Sequence, residues 1–240
     1  MATLYAVRLV DDWEPFVYRE LMLHITEGKR RRIGERWDSL EAKRGIIADL
    51  LPGFGLRKSF AMERSEQLLF GTTPFGKPIL LNKEHMHFNV SHSGEWVVCA
   101  VDDQPIGIDV EYINLRKIEG HYKVARRFFT SREYDDLMTR QGLEKARYFY
   151  DLWTLKESYI KKDGRGLSIP LNSFWFRLED GKIHFSGGER CEPNHFRQYQ
   201  IGEHYKLAYC SAKDQHPECP TIITLNELVD EITASKGERR

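Results

Sequence analysis

The chain has 240 residues, 41% of them hydrophobic and 12% aromatic, with Lys+Arg and Asp+Glu balanced at 36 each. This describes a globular protein of one large or two small domains with ample core. The balance excludes a global field for nucleic acid or membrane, no apolar run approaches the roughly 20 residues that span a bilayer, and "MATLYAVRLVDDW" lacks a signal-peptide layout.

In chain order, "LYAVRL" (4–9) reads as a first strand, and residues 30–51 hold helical apolar spacing until Pro52-Gly53, which should stop the helix. "HFNVSHSGEWVVCAVDD" (87–103) reads as strand, turn at Ser93-Gly94, and strand, with Gln104-Pro105 as punctuation. In "TSREYDDLM", Thr130 or Ser131 with Glu133 signals a capped helix start. "ARYFYDLWTLKESYIKK" (146–162) is a helix with Tyr148, Leu152, Leu155 and Tyr159 as its apolar stripe, closed by Asp163-Gly164-Arg165-Gly166. Strand-like pieces fill 173–212, and "ITLNELVDEI" predicts a last helix before a loose polar tail.

Two internal echoes occur in the same order. "WDSLEAKR" (37–44) matches "WTLKESYIK" (153–161), and "WVVCAV" (96–101) matches "KLAYCSA" (206–212). They predict a pseudo-repeat of two α+β halves, 1–105 and 106–228, with 229–240 as a polar tail. Cys99, Cys191, Cys210 and Cys219 show neither CxxC spacing nor a clustered pattern, so free thiols in a cytoplasmic protein are expected.

The chemistry concentrates in "IGIDVEYI" (106–113), a β-branched strand pattern interrupted by two acids. Alternation puts Asp109 and Glu111 on one face, their Cα atoms about 7 Å apart, and Ile108 and Val110 on the other. As a bare pattern this is also an exposed face with two solvated acids. Glu157 and Lys161 equally form a surface i,i+4 pair contributing about 0.3–0.5 kcal/mol, although Phe149, Trp153 and Ile160 predict a half-buried face around Glu157. Two strand carboxylates and a third from the helix suit Mg²⁺ beside a phosphate substrate, whereas zinc would call for His or Cys at a spacing this chain lacks. Phosphate-binding candidates are Lys29 and Arg32 of "GKRRR", Arg44, Lys77 in "FGKP", and the hydroxyl and imidazole of "SHSG". Each alone is ordinary: a solvated basic run, or a structural His92. "GRG" (164–166) is not a phosphate loop of the GxxxxGK[ST] kind.

Taken together, "FGKPIL" (75–80), "FNVSHSGEW" (88–96), "IGIDVE" (106–111), "FFTSREY" (128–134) and "FYDLWTLKESYIKKDGRGLSIPLNSF" (149–174) resemble the phosphopantetheinyl transferases of the surfactin-synthetase-activating type, from about residue 4 to residue 228. The resemblance implies an α+β fold of two similar halves about a pseudo-twofold axis, with a coenzyme A cleft between them. It implies Mg²⁺-dependent transfer of the phosphopantetheine arm of coenzyme A to a serine of an apo acyl or peptidyl carrier protein, releasing adenosine 3′,5′-bisphosphate. By resemblance, Asp109, Glu111 and Glu157 are the metal ligands, and Glu157, Lys161 and Asp109 the catalytic group. Lys156 and Lys161 contact the pyrophosphate or line the site, and Lys29, Arg32 and His92 hold the ribose phosphate. Arg44, Lys77, Pro78, Asn89 and Ser91 match other coenzyme-contacting positions. The first basic pair is Lys and Arg rather than two lysines, and Gly45 stands where some relatives carry a hydroxyl residue near the adenine. A monomer with no nucleic-acid or membrane partner is expected. A coenzyme A-binding paralogue without catalysis is the alternative, disfavoured because binding alone needs no metal triad.

Overall fold

The computed structural model describes residues 2–9, 13–33, 39–63, 65–188 and 193–233. Trp37, Cys191 and the tail beyond 233 lie outside the described residues. Helix and sheet are mixed throughout, and the chain forms two compact units. The first comprises Met1–Gly71, Pro78–Asp103 and Pro217–Arg240, and the second Thr72–Lys77 and Gln104–His216.

In the first unit, β1 (Thr3–Arg8) pairs antiparallel with β5 (Trp96–Asp102), which pairs antiparallel with β4 (His87–Ser93). The β4–β5 turn is Gly94-Glu95, one residue later than expected, because Ser93 still pairs with Trp96 and Gly94 takes the positive φ of 55°. The short strand β11 (Thr221–Ile222) returns to lie parallel to β1, and α7 (Leu225–Thr233) buries Leu228 in the same core, so the C-terminal segment belongs to the first unit. Tyr5, Val7, Val97, Cys99 and Val101 face α3 (Leu40–Ser59), which contributes Ile46, Ile47, Leu50, Leu51 and Phe54.

The expected helix over 30–51 is two helices, α2 (Glu27–Ile33) and α3, and α3 begins where the Ser39 hydroxyl accepts from Ala42 N. Pro52 does not end it. A proline inside a helix costs about 3 kcal/mol, but ten buried residues of α3 flank or include it, and their burial outweighs that cost.

The second unit carries β6 (Ile106–Tyr112), β10 (Tyr205–Ser211) and β9 (His195–Tyr199) as an antiparallel sheet in the order β6-β10-β9. Against it lies α6 (Gly142–Asp163), whose expected stripe of Tyr148, Leu152, Leu155 and Tyr159 is buried, and which ends at Gly164 in the left-handed conformation, φ 92°. Helix α5 (Ser131–Met138) starts with a complete capping box: the Thr130 hydroxyl accepts from Glu133 N, and the Glu133 carboxylate accepts from Thr130 N.

Glu133 does more than cap. Fully buried, it also accepts from Phe176 N at 2.9 Å, on the strand β7 (Phe174–Glu179), and pairs with Lys156 Nζ at 2.9 Å. The Lys156 ammonium donates further to Leu171 O at 2.7 Å and Phe174 O at 2.8 Å and has no exposure. Burial pushes its pKa down to about 8 against the opposing pull of Glu133. Lys156, which by resemblance contacts the pyrophosphate or lines the site, is here a structural bolt joining α6, α5 and β7. The reason is geometric: one residue before Glu157 on the helix, it points about 100° away.

Removing one partner of such a pair leaves an uncompensated buried charge, typically at a cost of about 3–5 kcal/mol. Lys156→Met is expected to lower unfolding free energy in urea by that order, and adding Glu133→Gln should recover part of the loss. A Lys156→Met protein within experimental error of wild type would contradict the bolt.

Candidate active site

The site is built where α6 crosses β6. Gly107, Asp109 and Glu111 share the face of β6 that meets the helix. At Gly107 the helix backbone is so near that an added Cβ would stand 1.9 Å from Ser158 O and 2.4 Å from Lys162 N. Only a glycine permits that approach, and it delivers Lys161 to Asp109. The two pair at 2.6 Å, Nζ to Oδ1, with Asp109 buried and Lys161 partly exposed. Ile108 and Val110, on the opposite face, are buried as the alternation predicts.

Glu157 lies one turn before Lys161 on α6, half-buried. Its pKa is pushed up to about 7, first by burial and then by the negative charges of Asp109 and Glu111, with Lys161 opposing. The three carboxylates are thus close enough to feel one another. Among the described residues, however, no three acid, His or Cys side chains are gathered into a ligand set for a metal ion. The donor chemistry suits a hard cation beside phosphate, being all carboxylate and mutually repelling. Here the positive charge at Asp109 comes from Lys161.

Across the sheet, Lys206 of β10 pairs in register with Glu111, and its ammonium is held by Asp151 of α6 at 2.7 Å. The sequence reading missed this contact, and no local pattern announces it, since the partners are 55 residues apart. It also missed the duty of Gly107, whose signal was available: an isolated glycine within a strand pattern marks a close backbone approach.

The expected phosphate-binding residues lie chiefly in the first unit. Lys29 of α2 pairs with Asp49 of α3 at 2.9 Å, while Arg32, three residues on, is exposed. Arg44 Nη1 donates to Gly94 O at 3.4 Å, bringing it to the β4–β5 turn two residues beyond the exposed His92. Asn89 and Ser91 are buried on the other face of β4, and Pro78 is the exposed first residue of β3 (Pro78–Leu80). A side chain added at Gly45 would meet nothing within 4 Å, so the missing hydroxyl there is not a steric requirement. Lys77 belongs to the second unit and is bonded to two backbone carbonyls.

The raised Glu157 fixes a sign for stability against pH. In the unfolded chain this carboxyl loses its proton near the ordinary 4.5, whereas the folded protein holds it to about 7. Between those values the folded state binds more protons, so Glu157's contribution to stability is present at low pH and lost as pH rises toward 7. Glu157→Gln in chelator-treated protein should flatten the melting temperature across pH 4.5–7 relative to wild type. Parallel wild-type and variant profiles would show that Glu157 does not carry this strain.

Comparison with known proteins gives the family. A profile of the 4′-phosphopantetheinyl transferase superfamily matches residues 105–210, the span that holds β6 and α6. The 4′-phosphopantetheinyl transferase Sfp of Bacillus subtilis (strain 168) is 37% identical over 209 residues, 87% of this chain and 91% of the relative. The 4′-phosphopantetheinyl transferase psf-1 of Bacillus pumilus is 33% identical over 233 residues, 95% of this chain and 98% of the relative. A crystal structure of a holo-(acyl-carrier-protein) synthase from Bacillus anthracis aligns with a TM-score of 0.39 and 22% identity, covering 45% of this chain and 93% of that one. With identity at this level over nearly the whole length, the chain belongs to the 4′-phosphopantetheinyl transferase superfamily and is of the Sfp-like type.

Proposed function

We propose that this chain transfers the phosphopantetheine arm of coenzyme A to a serine hydroxyl of an apo carrier protein, in a Mg²⁺-dependent reaction, and releases adenosine 3′,5′-bisphosphate. The observation that carries the reading is the charged cluster built by β6 and α6. There Lys161 meets Asp109 at 2.6 Å and Glu157 is held near neutrality. Asp109, Glu111 and Glu157 would hold the metal, which would supply charge neutralisation at the pyrophosphate.

The serine oxygen attacks the phosphorus bearing pantetheine, and the bond from that phosphorus to the bridging oxygen breaks. Negative charge grows on the bridging oxygen, where the Lys161 ammonium stabilises it. Two groups could accept the serine proton: Glu157, whose partial burial raises its basicity where no metal holds it, and a water in the shell of the metal. Lys29, Arg32, Arg44 and His92, with Pro78, Asn89 and Ser91, would bind the nucleotide end. A pseudo-twofold relation between two similar halves, with coenzyme A between them, is part of this proposal, their bodies being the two units rather than 1–105 and 106–228, since residues from 217 on pack with the first. What supports it is a long helix against a sheet with an antiparallel core in each unit, β1-β5-β4 under α3 and β6-β10-β9 under α6.

The direct test is the mass of an apo carrier protein after incubation with the chain, coenzyme A and Mg²⁺. A gain of one phosphopantetheine supports transfer, and saturable coenzyme A binding without it would favour the non-catalytic alternative. Loss of a well-placed electrostatic partner costs roughly a hundred- to a thousand-fold in rate. Asp109→Ala and Glu157→Gln are expected to fall by that order in kcat/KM, and Glu111→Gln by less, since water can replace one oxygen ligand. Lys29→Ala and Arg32→Ala should raise KM for coenzyme A more than they lower kcat, because remote phosphate binding is largely uniform. Equal KM for coenzyme A and dephospho-coenzyme A in wild type would remove that role.

A further inference from the structure

The short segment Thr72–Lys77 belongs to the second unit although the chain on either side of it belongs to the first. It is a tight turn: Thr73 N donates to Lys77 O at 2.9 Å, Lys77 N donates to the Thr73 hydroxyl at 3.1 Å, and Gly76 takes φ 84°. The Lys77 side chain therefore leaves from a fixed start. Its stem runs past Gly164, with Cδ 3.1 Å from where a Cβ of that glycine would stand.

The Lys77 ammonium donates to Ile106 O at 3.2 Å and to Lys162 O at 2.9 Å. Ile106 opens β6, and Lys162 lies in the last turn of α6, where carbonyls have no partner within the helix and a cation also meets the negative end of the helix dipole. Both carbonyls flank the close approach. Ile106 precedes Gly107, and the nitrogen and Cα of Lys162 lie 2.4 and 3.0 Å from the position of a Gly107 Cβ. Lys161, which carries the contact to Asp109, is the residue before Lys162.

We propose that Lys77 is a positioning residue of the transfer reaction: an ammonium clamp that holds the last turn of α6 on the start of β6, and so fixes Lys161 against Asp109. The position carries a coenzyme contact by resemblance, but two of its three donors are committed to backbone carbonyls. This inference rests on the function proposed above, and the two can fail separately.

Lys77→Met keeps the stem and removes the ammonium. A positioning role shows as a KM-against-kcat split: kcat should fall about tenfold or more, while KM for coenzyme A stays within about threefold of wild type. The preference for coenzyme A over dephospho-coenzyme A should be unchanged. Amide hydrogen exchange should quicken at residues 107–109 and 160–163, where the clamp holds helix to strand. Loss of the preference for coenzyme A, with exchange unchanged, would make Lys77 a phosphate ligand and overturn the clamp.

If Lys77→Met does not fold, ¹⁵N-lysine NMR of the wild-type protein decides. The clamp requires a slowly exchanging Lys77 ammonium signal without coenzyme A that stays in place when coenzyme A is added, and a large shift on addition would refute it. Should the wild-type chain transfer nothing to any carrier, the proposed function fails, and the exchange comparison still tests the clamp.

Discussion

The candidate site depends on how near a helix can come to a strand. At Gly107 the backbone of α6 occupies the space that any side chain would fill, 1.9 Å from the position of a Cβ. Every charged contact of the cluster follows from that approach. Asp109, two residues along the same face, reaches Lys161; Glu157, one turn earlier on α6, comes within electrostatic range of both strand acids. A helix held farther off would leave an acidic strand face and a lysine on a helix, each solvated and each ordinary.

Charge is handled differently at the two lysines of "WTLKESYIKK". Lys156 is fully buried, and its desolvation is met by a carboxylate and two carbonyls, a closed arrangement that leaves no donor for a ligand. Lys161 is partly exposed and meets Asp109 Oδ1. A cation that must meet a substrate's charge is better placed in the second arrangement, because its partial exposure leaves it within reach of a ligand. Glu157 sits between the two regimes, half-buried among like charges, and its carboxyl is the strained member of the set.

Much of this was legible from residue types and spacing. The alternation in "IGIDVEYI" put Asp109 and Glu111 on one face, and Phe149, Trp153 and Ile160 put Glu157 on a half-buried one, while only the family resemblance brought the three together. What the local pattern could not reveal was long-range. Pro52 reads as a stop, yet α3 runs seven residues beyond it because its apolar face is buried against β1 and β5. Lys156 reads as a second site lysine, yet its partner is a capping glutamate 23 residues earlier, whose second oxygen is free to do more than cap. The Lys206–Asp151 pair and the Lys77 contacts likewise join residues distant in sequence. Helix and strand periods report which face is buried; they do not report which backbone lies against it.

The close approach at Gly107 is therefore the central claim, and it can be tested at one atom. Forcing a methyl group into a packed site costs typically about 1–3 kcal/mol even where side chains can shift, and at Gly107 the obstacles are backbone. Gly120 of α4 (Ile118–Phe128) offers the control, since a Cβ there meets nothing within 4 Å. The measurement is kcat/KM for arm transfer to an apo carrier by Gly107→Ala and Gly120→Ala, with circular dichroism to follow folding. Gly107→Ala should lose about a hundred-fold or more with a lowered melting temperature, and Gly120→Ala should match wild type. A folded Gly107→Ala protein with the wild-type rate would contradict the account.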